Sequence, residues 1–333
     1  MKALRSHGIG GPEALTLDEI ETPLPGPGQV LVAVKACAIN FPDTLIIRDL
    51  YQYKPQRPFA PGGEVAGVIE AVGEGVSGWQ AGDRVIAMPG WGGLAEKMLV
   101  DSSRLFALPA DVSFEIGASL ILTYGTSLHA LKDRGKLKSG ETLLVLGAAG
   151  GVGLSAIELG KAIGARVVAA VSSKEKAEAA RAAGADEVVI YGRPPFDRDA
   201  SKALADAFKA ACGPAGAAVV YDIVGGDYSE AAVRAIGWNG RFLVVGFPAG
   251  IAKLPLNLTL LKSCDVCGVF YGAFMEREPA RNAAHMAELF ALLKAGKIAP
   301  RISETFPLAR AGEAIALLES RNAIGKLVAL IGD

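Results

Sequence analysis

Cysteine is scarce in this chain: four residues in 333, at Cys37, Cys212, Cys264 and Cys267. So few thiols do not make a disulfide framework. Cys264 and Cys267 form a C-x-x-C, but KSCDVCGVFYGAF reads as a strand, where residues i and i+3 point to opposite faces and cannot share one ion. Histidine is rarer still, with His7, His129 and His285 scattered along the chain. Net charge is also missing: 34 basic residues stand against 35 acidic ones. A near-neutral surface has no bulk attraction for nucleic acid or an anionic membrane, and no basic stripe with interleaved aromatics is present. The longest uncharged runs, Ile116–Leu131 and Thr142–Ile157, are sixteen residues each. A membrane-spanning helix needs about 18 or more. The first residues, MKALRSHGIGGPEAL, contain no apolar leader core, and a cytoplasmic location is expected.

Apolar residues and glycine are plentiful. Hydrophobic residues make up 51% of the chain, enough for a large core, and there are 41 glycines. That is about 12%, against a usual value of about 7%. The first stretch is β-rich and dotted with proline. QVLVAVKACAIN alternates, and EVAGVIEAVGEGVSGWQAGDRVIAM reads as strand, glycine turn and strand. A small irregular barrel is expected there. From Ser113 the pattern changes. SFEIGASLILTYGTSLHALKDRG reads as a helix with a serine N-cap. Short apolar strands then alternate with amphipathic helices: ETLLVLG, GVGLSAIELGKAIGA, RVVAAV, SSKEKAEAARAAGA, DEVVIY, AAVVYDIV, RFLVVGF. This alternation predicts a doubly wound parallel sheet, so the fold class is α/β with a second, β-rich domain. The final strand, GKLVALI, is expected to rejoin the barrel.

The most informative segment is LLVLGAAGGVGLSAIELG. Gly150 and Gly153 supply G-x-x-G between a strand and a helix, and Ala148 stands where a first glycine would be. Gly150 and Gly151, with Val152 beside them, let the backbone approach a pyrophosphate, and Gly153 lets the helix pack close to the strand. The helix start offers free N–H groups and the positive dipole end. The next strand, RVVAAV, is followed by Ser172, Ser173, Lys174, Glu175 and Lys176. No carboxylate ends it to take a ribose 2′-hydroxyl. A 2′-phosphate wants hydroxyls and a cation, which Ser172, Ser173 and Lys176 supply. NADPH is therefore the expected cofactor. Ser172 or Ser173 could instead be an N-cap before a solvated helix face.

These motifs, together with INFPDTLIIRDLYQ, PFAPGGEVAGVIEAVGEGV, LTYGTSLHAL, YDIVGG and AIGKLVAL, resemble the zinc-independent quinone oxidoreductases of the medium-chain dehydrogenase/reductase superfamily. The resemblance implies a GroES-like barrel, residues 1–118 and 268–333, interrupted by a Rossmann domain, residues 119–267. It also implies an active site in the cleft between them, and a homodimer joined through the Rossmann sheet. Zinc-dependent relatives would carry Cys at Asn40, His at Gly63 and a thiol near Leu122; none of the three is a ligand here, and a catalytic zinc needs about three. No metal is expected.

The same resemblance assigns roles. Asn40 and Tyr51 would hydrogen-bond the acceptor oxygen, Tyr51 with a proton to pass on. Thr126 would bond the nicotinamide amide, with Thr123 one turn away. Tyr191 and Val224 would lie along the adenosine, Gly246 and Phe247 at the nicotinamide ribose, Phe270 at the carboxamide, and Asn322 and Lys326 would close over the cofactor from the barrel. Bland alternatives are a turn cap for Asn40, an aromatic lid for Tyr51 and core packing for Phe247 and Phe270. The expected reaction is reduction of a quinone or an α,β-unsaturated carbonyl. The alternative is reduction of a 2-enoyl thioester, with Arg48, Lys54 or Arg57 meeting the CoA phosphates.

Overall fold

The computed structural model describes Met1 to Gly332. In chain order its strands are β1 (Lys2–Ser6), β2 (Leu15–Glu19), β3 (Gln29–Ile39), β4 (Glu64–Val72), β5 (Arg84–Ala87), β6 (Lys97–Asp101), β7 (Leu105–Ala107), β8 (Thr142–Leu146), β9 (Arg166–Val171), β10 (Glu187–Ile190), β11 (Ala217–Asp222), β12 (Ile236–Val244), β13 (Asp265–Gly268), β14 (Ile302–Pro307) and β15 (Lys326–Leu330). The chain forms two compact units, Met1–Leu122 with Pro300–Asp333, and Thr123–Ala299.

The first unit is built on a seven-stranded sheet in the order β14-β15-β3-β4-β5-β7, with β6 paired to β3. The long alternating strand β3 is its spine. It pairs antiparallel with β4 along most of its length and with β15 at Ala36 to Ile39. The final strand thus rejoins the barrel, as expected. Val30, Val32, Val34, Cys37 and Ile39 point into a core shared with Ile46, Ile47, Ala314 and Ile315 from two helices. Glycine permits one close approach that matters for the site. A Cβ on Gly63 would lie 2.9 Å from Gly90 O, so the backbone leaves no room for a side chain there.

The second unit holds six parallel strands in the order β10-β9-β8-β11-β12-β13. The order runs outward in one direction from β8 and in the other from β11. The switch point, where doubly wound sheets bind ligands beyond the strands' carboxyl ends, therefore lies between β8 and β11. Leu144, Leu146, Val168, Val220 and Phe242 fill one side of the sheet together with Phe208 from the helix Arg198–Cys212.

Two sequence expectations shift. The helix from Ser113 is broken: Ser113 caps Phe114–Ala118, its Oγ accepting from Ile116 N at 3.3 Å, and a separate helix runs from Ile121 to Arg134. The second runs wider than an α-helix over Ile121–Gly125 and His129–Arg134, a winding often found at functional sites. The boundary near 268 also moves. The helices Tyr271–Arg277 and Pro279–Lys294 belong to the second unit and not to the barrel. Asp133 ties the second of them there: its carboxylate meets Arg281 at 2.5 Å and His285 at 3.5 Å. Amphipathicity alone could not say which core those helices cover.

Candidate functional site

Each strand of the second unit ends at a residue singled out from the sequence. After β8, Gly147 takes φ +66°, and a Cβ there would strike Val224 Cγ2 at 2.8 Å. Ala148 and Ala149 turn inward and are buried. Gly150 precedes the helix Gly151–Ile163 with extended backbone and no side-chain cap. The first turn therefore keeps its N–H groups for an external acceptor. A Cβ on Gly153 would lie 2.4 Å from Gly147 O, so only glycine lets this helix sit so close to the loop. At Gly150 the nearest such contact is 3.8 Å, which leaves room along the loop. This is a backbone cradle that suits a pyrophosphate.

After β9, one of the two serines takes the N-cap role. Ser173 caps the helix Lys174–Ala182, its Oγ accepting from Lys176 N at 3.3 Å, while Lys176 Nζ donates to Ser172 Oγ at 3.3 Å. A hydroxyl and an ammonium are thereby brought together, while the exposed Glu175 carboxylate turns back to its own N–H and the Ser173 side chain and is held below its usual range by those hydrogen bonds. After β10, the Tyr191 ring rests against Tyr228 at 4.8 Å. After β11, Asp222 organises the turn bearing Val224. Its Oδ1 accepts from Val224 N at 2.8 Å and Gly225 N at 2.9 Å, and its Oδ2 from Ser229 Oγ at 2.5 Å. Burial pushes the Asp222 carboxyl up while these donors pull it down. Sequence reading passed over Asp222; the signal available was an acid ending a buried strand just before Gly225 and Gly226. After β12 come Gly246 and Phe247, and after β13 comes Phe270. The two phenylalanines are 49% and 51% exposed, so they are not core.

Thr126 is half-buried and Thr123 is buried on the helix Ile121–Arg134. A hydroxyl network fixes this helix to the one behind the glycine loop. Ser155 Oγ donates to Thr123 O at 3.0 Å, and Ser127 Oγ lies 2.8 Å from Ser155 Oγ and 2.9 Å from Tyr221 OH. His129 is a packed residue, stacked on Phe274 at 4.0 Å and bonded to Asp133 at 2.7 Å. A groove of about 760 Å³ lined by Gly216, Arg234, Ile236 and Trp238 opens at the opposite, amino-terminal ends of β11 and β12.

The first unit gathers a different set. Asn40 immediately precedes the helix Phe41–Ile46, and its N–H donates to Asp43 Oδ2 at 2.8 Å. Its side-chain amide donates to Ala38 O at 3.2 Å and Glu64 Oε2 at 3.1 Å, while its Oδ1 accepts from Lys326 Nζ. Both amide hydrogens are therefore used, and none is left for an acceptor oxygen. Glu64 Oε1 in turn accepts from Leu122 N at 2.9 Å. Asp43, Glu64 and Lys326 are all buried. Burial raises Asp43 to about 6 and pushes Glu64 up, and it pushes Lys326 down against the pull of Glu64 and Asp43. Lys326, expected over the cofactor, has its ammonium committed to Asn40, to Ile39 O at 3.3 Å, and to Glu64 at 3.7 Å. Asn322 is exposed.

Tyr51 packs partly against the barrel core and near Tyr53, ring centroids 5.9 Å apart. Its hydroxyl bonds no other described residue. Burial and the neighbouring Tyr53 and Asp43 hold its proton more tightly than usual. Arg48 is paired with Glu319 and Arg57 with Asp49 at 2.7 Å, so neither is a spare cation for a CoA phosphate. Among the described residues no group of three or more His, Cys, Asp or Glu is placed to hold a metal ion.

A GroES-like barrel carrying a buried polar cluster, and a doubly wound sheet whose glycine loop suits a dinucleotide, define a medium-chain dehydrogenase/reductase. The alcohol dehydrogenase GroES-like domain family matches residues 26–110, and the zinc-binding dehydrogenase family matches residues 151–288. Quinone oxidoreductase-like protein 2 of Bos taurus is 37% identical over 317 residues, covering 94% of this chain and 88% of that protein. Homo sapiens quinone oxidoreductase is 32% identical, covering 99% of this chain and 98% of that one. The crystal structure of Escherichia coli quinone oxidoreductase complexed with NADPH superposes with a TM-score of 0.90 at 31% identity, covering 99% of this chain and 100% of that one. The chain belongs to the quinone oxidoreductase family of the medium-chain dehydrogenase/reductase superfamily.

Proposed function

We infer that this chain is an NADPH-dependent quinone oxidoreductase that works without a catalytic metal. The observation that carries the reading is the uncapped glycine loop beyond β8 beside the Ser172–Lys176 pair beyond β9, in a chain that matches quinone oxidoreductases over nearly its whole length. NADPH, when bound, supplies a hydride to an electron-poor acceptor.

The residues' own work is binding, orientation and proton supply. Gly147 to Gly153 and the first turn of the helix Gly151–Ile163 would hold the pyrophosphate on backbone N–H groups. Ser172 and Lys176 would take the 2′-phosphate, with Ser173 fixing the helix start beside them. Tyr191 and Val224 would line the adenosine. Gly246, Phe247 and Phe270 would pack along the nicotinamide end and exclude water, and Thr126 would orient the carboxamide. A quinone that accepts a hydride also needs a proton at its oxygen. Tyr51, whose hydroxyl keeps its proton at neutral pH and bonds no other described residue, is the group that would donate there. Asn40 is reassigned from donor to scaffold, because its amide hydrogens are already used.

The four free cysteines support a cytoplasmic setting. A second copy of the chain would cover the exposed Leu256, Leu260, Leu261 and Val266 on and beside the edge strand β13.

The test is a side-by-side assay of NADPH oxidation with a small benzoquinone and with a short enoyl-CoA, each with and without a chelator. Turnover with the quinone, unchanged by chelator, is expected. Turnover with the enoyl-CoA alone would replace the reading with thioester reduction.

A further inference from the structure

The helix Phe41–Ile46 has only six residues, too few to hold its own place in water. It is gripped at both ends by one stretch of chain from the far end of the sequence. At its start, Lys326 Nζ donates to Asn40 Oδ1 and to Ile39 O, and Glu64 completes the buried pair at 3.7 Å. Just past its end, the Arg48 guanidinium forms a forked pair with Glu319, Nη1 to Oε1 and Nη2 to Oε2, the latter at 3.2 Å. The same guanidinium donates to Thr44 O at 3.0 Å, which fastens the pair to the helix itself. Glu319 closes the helix Ala311–Glu319, and Lys326 opens β15. The connection between them turns through Arg321 at φ +60° and Gly325 at φ +75°. Beyond the short helix the chain reverses at Asp49, φ +56°, where Arg57 holds both Asp49 Oδ1 and Ile47 O, and it delivers Tyr51 two residues later.

We propose that Lys326 and Glu319 are positioning residues, a two-point clamp on the helix Phe41–Ile46 that sets where the Tyr51 hydroxyl stands. This rests on the reading of Tyr51 as the donor to the acceptor oxygen. The clamp explains why an ammonium, a carboxylate and a carboxamide are buried together in a barrel that could have been closed with apolar residues. Each grips a segment remote in sequence, and together they fix a short element that lacks the length to fix itself. It also gives Lys326 a role other than closing over the cofactor, since its ammonium is held by Asn40, Ile39 O and Glu64. Lys326 should affect the acceptor step and leave NADPH affinity alone.

The experiment uses the full chain with Tyr51→Phe, Glu319→Gln, the charge-neutral double variant Lys326→Met/Glu64→Gln, and each of the last two combined with Tyr51→Phe. Glu319 and Arg48 are only partly buried, so Glu319→Gln should fold even if the buried double variant does not. Quinone kcat and KM are measured beside NADPH affinity by fluorescence titration. Glu319→Gln should lower kcat by about tenfold to a hundredfold, the scale on which small misplacements act, with NADPH affinity unchanged. In the Tyr51→Phe background the same change should cost little more, because the residues act through one hydroxyl. If the losses multiply, or if NADPH affinity falls instead, the clamp is overturned while Tyr51 keeps its role. If Tyr51→Phe alone leaves kcat intact, the Tyr51 reading falls and the clamp falls with it.

Discussion

Lys176 Nζ donates to Ser172 Oγ across 3.3 Å at the carboxyl end of β9. The pair stands where an NAD site would place a carboxylate. Lys176→Ala should therefore weaken NADPH by about 1.5–3 kcal/mol, the range for a hydrogen bond to a charged group, and leave NADH nearly unchanged. Fluorescence titration with both nucleotides checks this. Equal losses for the two would make Lys176 a surface residue.

Gly153 has no room for a side chain. Its added Cβ would meet Gly147 O at 2.4 Å and Ala148 Cα at 2.7 Å, all backbone atoms that cannot swing aside. Gly153→Val should push the helix off the loop, cost about 1–3 kcal/mol of stability as overpacking does, and abolish measurable NADPH binding. Gly75 offers the contrast, since nothing lies within 4 Å of its Cβ position, although its φ of +74° is unfavourable for other residues. Gly75→Asn should keep full nucleotide affinity. Thermal melts and titrations of the two variants measure the difference.

Much of this was legible in the sequence where the information is local. The βα alternation and the glycine loop follow from periodicity and spacing, and an N-cap at Ser172 or Ser173 from their place before a helix, of which the structure uses Ser173. What was hidden was long-range. Nothing near Asn40 announces that its amide will be used by Ala38, Glu64 and a lysine 286 positions away. Arg48 and Arg57 looked like loose cations because Glu319 and Asp49 could not be placed beside them. The helices Tyr271–Arg277 and Pro279–Lys294 carried an apolar face but no sign of which core it would cover. Phe247 and Phe270 could be told from core only by their exposure.

Asp43 gives the stability a pH signature. Burial raises its pKa from 3.8 to about 6 despite the N–H groups of Asn40 and Gly62 and the charge of Lys326. A carboxyl whose folded pKa lies above its unfolded value makes the fold bind the extra proton between the two. Its contribution is then fullest below the unfolded value and is lost as pH rises to about 6. Asp43→Asn removes that titration. The stability gap between wild type and variant should narrow by up to a few kcal/mol between about pH 4 and pH 7. Urea denaturation at the two pH values reads it, and a gap that widens would contradict the assignment.

The face beside β13 bears Leu256 at 74%, Leu260 at 77% and Leu261 at 64% exposure. A sheet edge flanked by that much apolar surface is expected to pair with a second copy. Light scattering should give twice the mass of the chain, and Leu260→Asp should shift it to a single copy. A monomeric wild type at micromolar concentration would remove the homodimer from the account.

Steady-state kcat/KM for a small benzoquinone, measured with NADPH and with NADH, decides whether this chain is an NADPH-dependent quinone reductase. Turnover with both nucleotides and at least a tenfold preference for NADPH are expected, in line with one charged hydrogen bond or more to the 2′-phosphate. A preference for NADH, or no quinone turnover with either nucleotide, would contradict that reading.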